Sequence, residues 1–139
     1  DAFIEMWKEA KKQDIYLVIN LGYRSYETQN ELYEVYKAKN KNTVDSITFR
    51  PGHSEHQSGL ALDIVSKENS SSKDFEESKT DIWLKENAYR YGFILRYDNN
   101  YSITGFETED WHYRYVGKTA AQVIHDKSLT LEEYYYNEY

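Results

Sequence analysis

Residues 60–65 read LALDIV, an apolar run interrupted by a single carboxylate. A short apolar run that follows turn signals reads as a buried strand. A buried charge must find a partner or give up its proton balance, so the fold has to bring compensating groups to Asp63. If the run is extended, Ala61, Asp63 and Val65 share one face, and Leu60, Leu62 and Ile64 share the other. The small side chain of Ala61 leaves room for something bulky above the carboxylate. Just upstream, residues 50–59 (RPGHSEHQSG) supply His53, Ser54, His56 and Gly59, and far along the chain residues 107–112 (ETEDWH) supply Glu109 and His112.

The surrounding chain alternates helical and extended patterns. Residues 2–12 carry apolar side chains at helical spacing, and 15–21 (IYLVINL) read as a buried strand that Gly22 ends. Ser25 is placed to cap a helix over 26–39 with Leu32, Val35 and Tyr36 inward. Residues 40–53 are polar and end in the turn signal Pro51-Gly52, and 66–78 read as an exposed loop. Thr80 starts a helix to Tyr91 that Gly92 closes. Residues 93–97 and 111–116 read as further strands, followed by helices over 118–126 and 131–138, the latter with a capping box from Thr130 to Glu133. Helices and strands mixed without regular βαβ alternation predict an α+β domain, with a small, mainly antiparallel sheet flanked by helices. The 139 residues are expected to form one domain.

Composition narrows the function. A net charge of −7 excludes a general nucleic-acid binder, because neutralising phosphates requires a basic surface. No apolar stretch has the length of a membrane span. With no cysteine, neither disulfides nor thiolate metal sites are available. The chain begins at Asp1 rather than methionine, and a preceding segment is expected to have been removed.

The four histidines are His53, His56, His112 and His125. A catalytic zinc takes three protein ligands and leaves a fourth position open. His56, Asp63 and His112 form the most economical set of two imidazoles and one carboxylate. Glu109 lies three residues before His112, an odd separation that strand alternation would place on the opposite face. To serve the same site it must lie on a loop or bulge, where it can act as general base on a metal-activated water. On these residues alone Asp63 reads equally as a structural, paired carboxylate, and Arg24 as a surface ion-pairing residue. His53 and His125 read as bystanders, Trp111 as core or pocket wall, and Gly59 as a space-maker around the metal.

The pattern Ser54-Glu55-His56-Gln57-Ser58-Gly59-Leu60-Ala61-Leu62-Asp63 matches SxHxxGxAxD, and Glu109-Asp110-Trp111-His112 matches ExWH. Together with Gly22-Tyr23-Arg24-Ser25, Gln29, YGFILRY at 91–97 and YRYVG at 113–117, they resemble the zinc D,D- and L,D-carboxypeptidases of the VanY and LdcB type. That family shares its fold with Hedgehog domains, so the resemblance implies a Hedgehog/DD-peptidase-like architecture with a catalytic core over about residues 15–117. It further implies zinc (Zn²⁺) on His56, Asp63 and His112, Glu109 as catalytic acid/base, and Arg24 meeting anionic charge on substrate or oxyanion. Gln29 is implied to hold the peptide and Ser54 to line the pocket. At Asp110 similar proteins often carry proline, a departure that touches neither ligand nor base.

The expected activity is removal of the C-terminal D-alanine from peptidoglycan stem peptides, with a slight lean to L,D- or dual cleavage. The protein is expected outside the bacterial membrane, as a monomer whose anchor or signal lies outside this sequence. An endopeptidase of endolysin type and a non-catalytic Hedgehog-like binding module are the alternatives. Glu109 argues against the second, since only chemistry requires it beside the three ligands.

Overall fold

The computed structural model describes residues 1–40, 42–67 and 75–138. Its centre is a four-stranded antiparallel sheet formed by β1 (Leu17–Leu21), β2 (Ala61–Ser66), β3 (Phe93–Leu95) and β4 (His112–Tyr115), in the order β1-β2-β4-β3. Around it lie α1 (Ala2–Lys11), α2 (Tyr26–Lys39), α3 (Lys79–Asn87), a single turn α4 (Tyr101–Thr104), α5 (Lys118–Lys127) and α6 (Leu131–Glu138). Short 3₁₀ turns occupy Val44–Ser46, Glu55–Ser58 and Ala88–Tyr91. The α+β architecture expected from the alternating patterns is present.

The register of β2 and β4 decides where the polar face points. Leu62 pairs with Tyr113 and Asp63 with His112, so Asp63 and His112 are cross-strand neighbours on one face. Leu62, Ile64, Tyr113 and Phe93 project to the other, where Met6 and Ala10 of α1 and Trp83 and Leu84 of α3 form the main core with them. Ile64, Leu84 and Tyr113 are completely buried. Burying an aliphatic side chain such as Ile64 or Leu84 contributes about 2–3 kcal/mol. A second cluster joins Ile94 of β3 to Ala121 and Ile124 of α5 and Leu131 of α6. Ile94 pairs with Arg114, on the polar face of the sheet, so the C-terminal helices approach from the side that carries Asp63 and His112.

Several local expectations need correction. β1 is an edge strand, with Leu17 buried but Val18, Ile19 and Asn20 exposed, and its register shifts between Ile19 and Leu21. Its apolar composition suited a buried strand, yet only one neighbour covers it. In α2, Val35 and Tyr36 are exposed and the buried residue is Gln29. This helix is held by polar contacts rather than by an apolar stripe, and Ser25 caps it by accepting from the Thr28 N–H at 3.2 Å. Ser78 rather than Thr80 caps α3, accepting from the Asp81 N–H at 3.2 Å, because Thr80 already lies inside the helix and is buried. Of the 66–78 tract read as an exposed loop, residues 68–74 lie outside the described residues, while Phe75 is buried in the main core. The capping box on α6 is present, with Glu133 Oε2 accepting from the Thr130 N–H at 2.8 Å.

Candidate metal centre

The first histidine is presented by the 3₁₀ turn Glu55–Ser58, which Gly59 ends at φ +72°. A Cβ at Gly59 would meet nothing within 4 Å, so the position needs glycine for its left-handed backbone and not, as expected, to make space. This turn leads straight into β2, which sets Asp63, and β4 sets His112 opposite it. Glu109 lies on the turn before β4, with its backbone carbonyl accepting from the His112 N–H at 3.0 Å. Strand alternation requires such a turn if Glu109 and His112 are to face one site.

Asp63 Oδ1 stands 3.2 Å from His56 Nε2 and 3.2 Å from His112 Nδ1. Despite that closeness it is buried and has no hydrogen-bond partner, because the ring nitrogens approach it outside hydrogen-bond geometry. One ligand atom from each of the three residues falls within 4.8 Å of the other two. Donors about 2.0 Å from a tetrahedral zinc stand about 3.3 Å apart. The orphaned oxygen and two inward ring nitrogens therefore fit a metal ion, and the two-imidazole, one-carboxylate donor set leaves an open position.

Both rings are pinned at their outer nitrogens. His56 Nδ1 donates to the Gly22 carbonyl at 2.8 Å, which leaves Nε2 facing Asp63. His112 Nε2 lies 3.2 Å from Glu55 Oε2, leaving Nδ1 facing Asp63 and, at 3.6 Å, Glu109 Oε2. Such outer partners fix the tautomer and orientation of metal-binding histidines. The rings themselves meet edge to face, with centroids 4.9 Å apart.

The electrostatics favour a cation between these groups. Burial pushes the Asp63 carboxyl up, but His112 and then His56 outweigh it and hold it below its ordinary value. Burial pushes His112 down, yet Asp63, Glu55 and Glu109 prevail and raise it to about 9. Glu109 is raised chiefly by burial, with His112 opposing and Asp63 adding to the rise. Its side chain keeps 32% exposure, against 12% or less for the three metal-capable residues, so it is the site's most accessible carboxylate.

Arg24 joins this site through its backbone, its N–H donating to the His56 carbonyl at 3.1 Å. Its Nη1 donates to Gln29 Oε1 at 2.6 Å, and Gln29 Nε2 donates to the Phe49 carbonyl at 2.7 Å. Gln29 is fully buried and Ser54 nearly so, while His53 and His125 are exposed away from the cluster. The 40–53 segment thus contributes, through Phe49, a carbonyl anchor for the arginine's partner.

A family model for VanY, described as D-alanyl-D-alanine carboxypeptidase, matches residues 1–118. The chain belongs to the VanY family. Among its relatives, a putative carboxypeptidase, YodJ of Bacillus subtilis (strain 168), is 44% identical over 140 residues, covering 97% of this chain and 51% of the relative. The solved LdcB LD-carboxypeptidase superposes with a TM-score of 0.93 at 43% identity, covering 98% of this chain and 65% of that one. A mutant of the vancomycin-resistance D,D-pentapeptidase VanY in complex with Zn(II) gives 0.84 at 36% identity, covering 96% and 79%. This chain spans about half the length of the YodJ relative. The fold expected from the motifs is that of the VanY family.

Sequence reasoning missed Glu55, which occupies the variable position between Ser54 and His56. Its Oε1 accepts from Arg96 Nε at 2.8 Å and lies 3.4 Å from Arg114 Nη1, while Oε2 faces His112. Burial would raise Glu55, but His112, Arg96 and Arg114 together bring it down to about 2. The available signal was Arg96 inside YGFILRY, a charge that directly follows a buried strand.

Proposed function

We propose that residues 1–139 form one catalytic domain of a zinc-dependent carboxypeptidase that removes the C-terminal D-alanine from peptidoglycan stem peptides. The observation that carries this reading is the convergence of His56 Nε2, His112 Nδ1 and the unpartnered Asp63 Oδ1, with the Glu109 carboxylate beside them. His56, Asp63 and His112 would hold zinc. At such a donor set zinc supplies Lewis acidity, which acidifies a water and polarises a carbonyl.

The chain's own residues do the rest. Glu109, raised by partial burial and still one-third exposed, takes a proton from the attacking water and returns it to the leaving amine. Arg24, oriented by Gln29, presents its guanidinium to the substrate's terminal carboxylate or to the developing oxyanion. In this arrangement Gln29 serves the peptide through Arg24, and Ser54 forms part of the pocket wall. Gly22 and Glu55 keep the two rings turned inward.

The substrate assignment draws support from the likeness to the LD-carboxypeptidase LdcB and the D,D-pentapeptidase VanY. It places the enzyme outside the membrane at the bacterial cell wall, acting as a monomer. Among the described residues no helix is long and apolar enough to cross a membrane.

The test is mass spectrometry of muropeptides ending in D-Ala-D-Ala, or in L-Lys-D-Ala or its diaminopimelate counterpart, after incubation with the zinc-loaded chain. Loss of the terminal residue is expected, and its distribution between the two substrates assigns D,D- or L,D-cleavage. Glu109→Ala should lower that cleavage by about 10²–10⁴-fold with zinc still bound, whereas His56→Ala should lose the metal. Cleavage at the normal rate by Glu109→Ala would sink the mechanism. Internal cuts would point to an endopeptidase, and intact peptides to a binding module.

A further inference from the structure

We propose that Glu132 on α6 is a positioning residue for the metal centre, acting through Arg96 and Glu55 on His112. The inference rests on the metal reading above and adds a residue outside the 1–118 span that the family model matches.

All three side-chain nitrogens of Arg96 are engaged. Nη1 donates to Glu132 Oε2 at 3.0 Å and Nη2 to Glu132 Oε1 at 2.6 Å, a two-pronged contact. Nε donates to Glu55 Oε1 at 2.8 Å, and the Arg96 backbone N–H donates to the His112 carbonyl at 3.0 Å. The guanidinium also lies over the Tyr97 ring, 4.8 Å from its centroid. Arg96 and Glu55 keep only 10% and 13% of their side chains exposed, and Glu132 keeps 28%. A planar guanidinium can serve two carboxylates at fixed angles, where a lysine would act as a single point of charge.

Charge balance gives Glu132 its effect at a distance. Two guanidinium groups, Arg96 and Arg114, face Glu55. With Glu132 present, the four groups are neutral in sum, and Glu55 keeps Oε2 for the imidazole. Without the Glu132 charge, the whole of Arg96 falls on Glu55. Its oxygens are drawn away from His112, and an excess positive charge is left near a divalent-cation site. A carboxylate accepting from a ligating histidine raises that ring's basicity and fixes its orientation, and losing such a partner typically lowers metal affinity 10–100-fold. The second hydrophobic cluster, Ile94 with Ala121, Ile124 and Leu131, holds α6 where Glu132 meets Arg96.

The experiment measures zinc affinity of the purified chain by chelator competition, together with the visible absorption of the cobalt(II)-substituted form. Glu132→Gln should weaken zinc binding by about 10-fold and Glu55→Gln by about 10–100-fold, each shifting the cobalt spectrum. The double variant should be no weaker than Glu55→Gln alone, because Glu132 acts through Glu55. A merely structural contribution would instead give additive losses and leave the spectrum unmoved, and either result overturns the inference. Circular dichroism of the metal-free variants checks their fold. Should Glu132→Gln fail to fold, Glu132→Met removes the same charge at similar volume, and a wild-type affinity and spectrum there would overturn the inference as well. If the wild-type chain binds no zinc, the metal reading fails and this inference with it. If it binds zinc and Glu132→Gln matches it, only the inference fails.

Discussion

Two part-buried charge assemblies flank the sheet, each with a cation bridging two carboxylates, and they end in different places. On one side Lys85 Nζ lies 2.9 Å from Asp81 Oδ2 and 2.7 Å from Asp110 Oδ1, tying α3 to the turn that carries Glu109. On the other, Arg96 joins Glu55 to Glu132, and Glu55 continues to the His112 ring. The lysine pair is a clasp between segments. The arginine pair reaches the outer nitrogen of a ring whose inner nitrogen faces the proposed metal site. A point charge on a flexible stem suits the first task and a rigid fork suits the second. Asp110 thereby gains a structural use.

This contrast can be broken by separating stability from metal binding. The largest expected stability effect is from Lys85→Met, which leaves Asp81 and Asp110 without a cation. Removing one partner of a buried pair costs about 3–5 kcal/mol, and the 37% exposure of Lys85 reduces that to about 2–3 kcal/mol. Chemical denaturation of the metal-free chain should show this loss while zinc affinity in the folded protein stays within about twofold. A tenfold fall in affinity would erase the distinction between clasp and relay. Asp110→Asn should cost less, about 1 kcal/mol, since Asp81 keeps its lysine. The same denaturation curve reads it, and a loss as large as that of Lys85→Met would show that Asp110 dominates the clasp. Smallest is Arg114→Gln. Its contact with Glu55 is long at 3.4 Å and Arg96 remains, so zinc affinity should change by no more than about threefold. An effect equal to that of Glu55→Gln would move the weight of the relay from Arg96 to Arg114.

The parts of the site that were legible in the sequence are those carried by short spacing. His56 and Asp63 are seven residues apart on a turn and the strand it feeds, and Glu109 and His112 share one turn before another strand. Strand alternation alone required Glu109 to leave the regular strand. Less legible were contacts spanning 41 residues, from Glu55 to Arg96, and 36, from Arg96 to Glu132. A lone glutamate in sequence has the same pattern whether it is solvated or paired, so only Arg96, directly after a buried strand, carried a local signal, and nothing marked its two partners. Burial of β1 and α2 was overestimated for a related reason. Apolar composition describes what a segment can bury, whereas coverage depends on which neighbour arrives.

By itself, then, the sequence determined the α+β class and picked out the two halves of the candidate site, because these depend on residue type and on spacing within a turn or strand. The tertiary structure alone decided that Asp63 lies opposite His112, since a one-residue slip between β2 and β4 would send one of them to the opposite face. It also decided that Gly22 and Glu55 turn the two rings inward, and that a carboxylate on the C-terminal helix stands behind the second of them. Those choices rest on register and on long-range packing, which no short stretch of residues encodes.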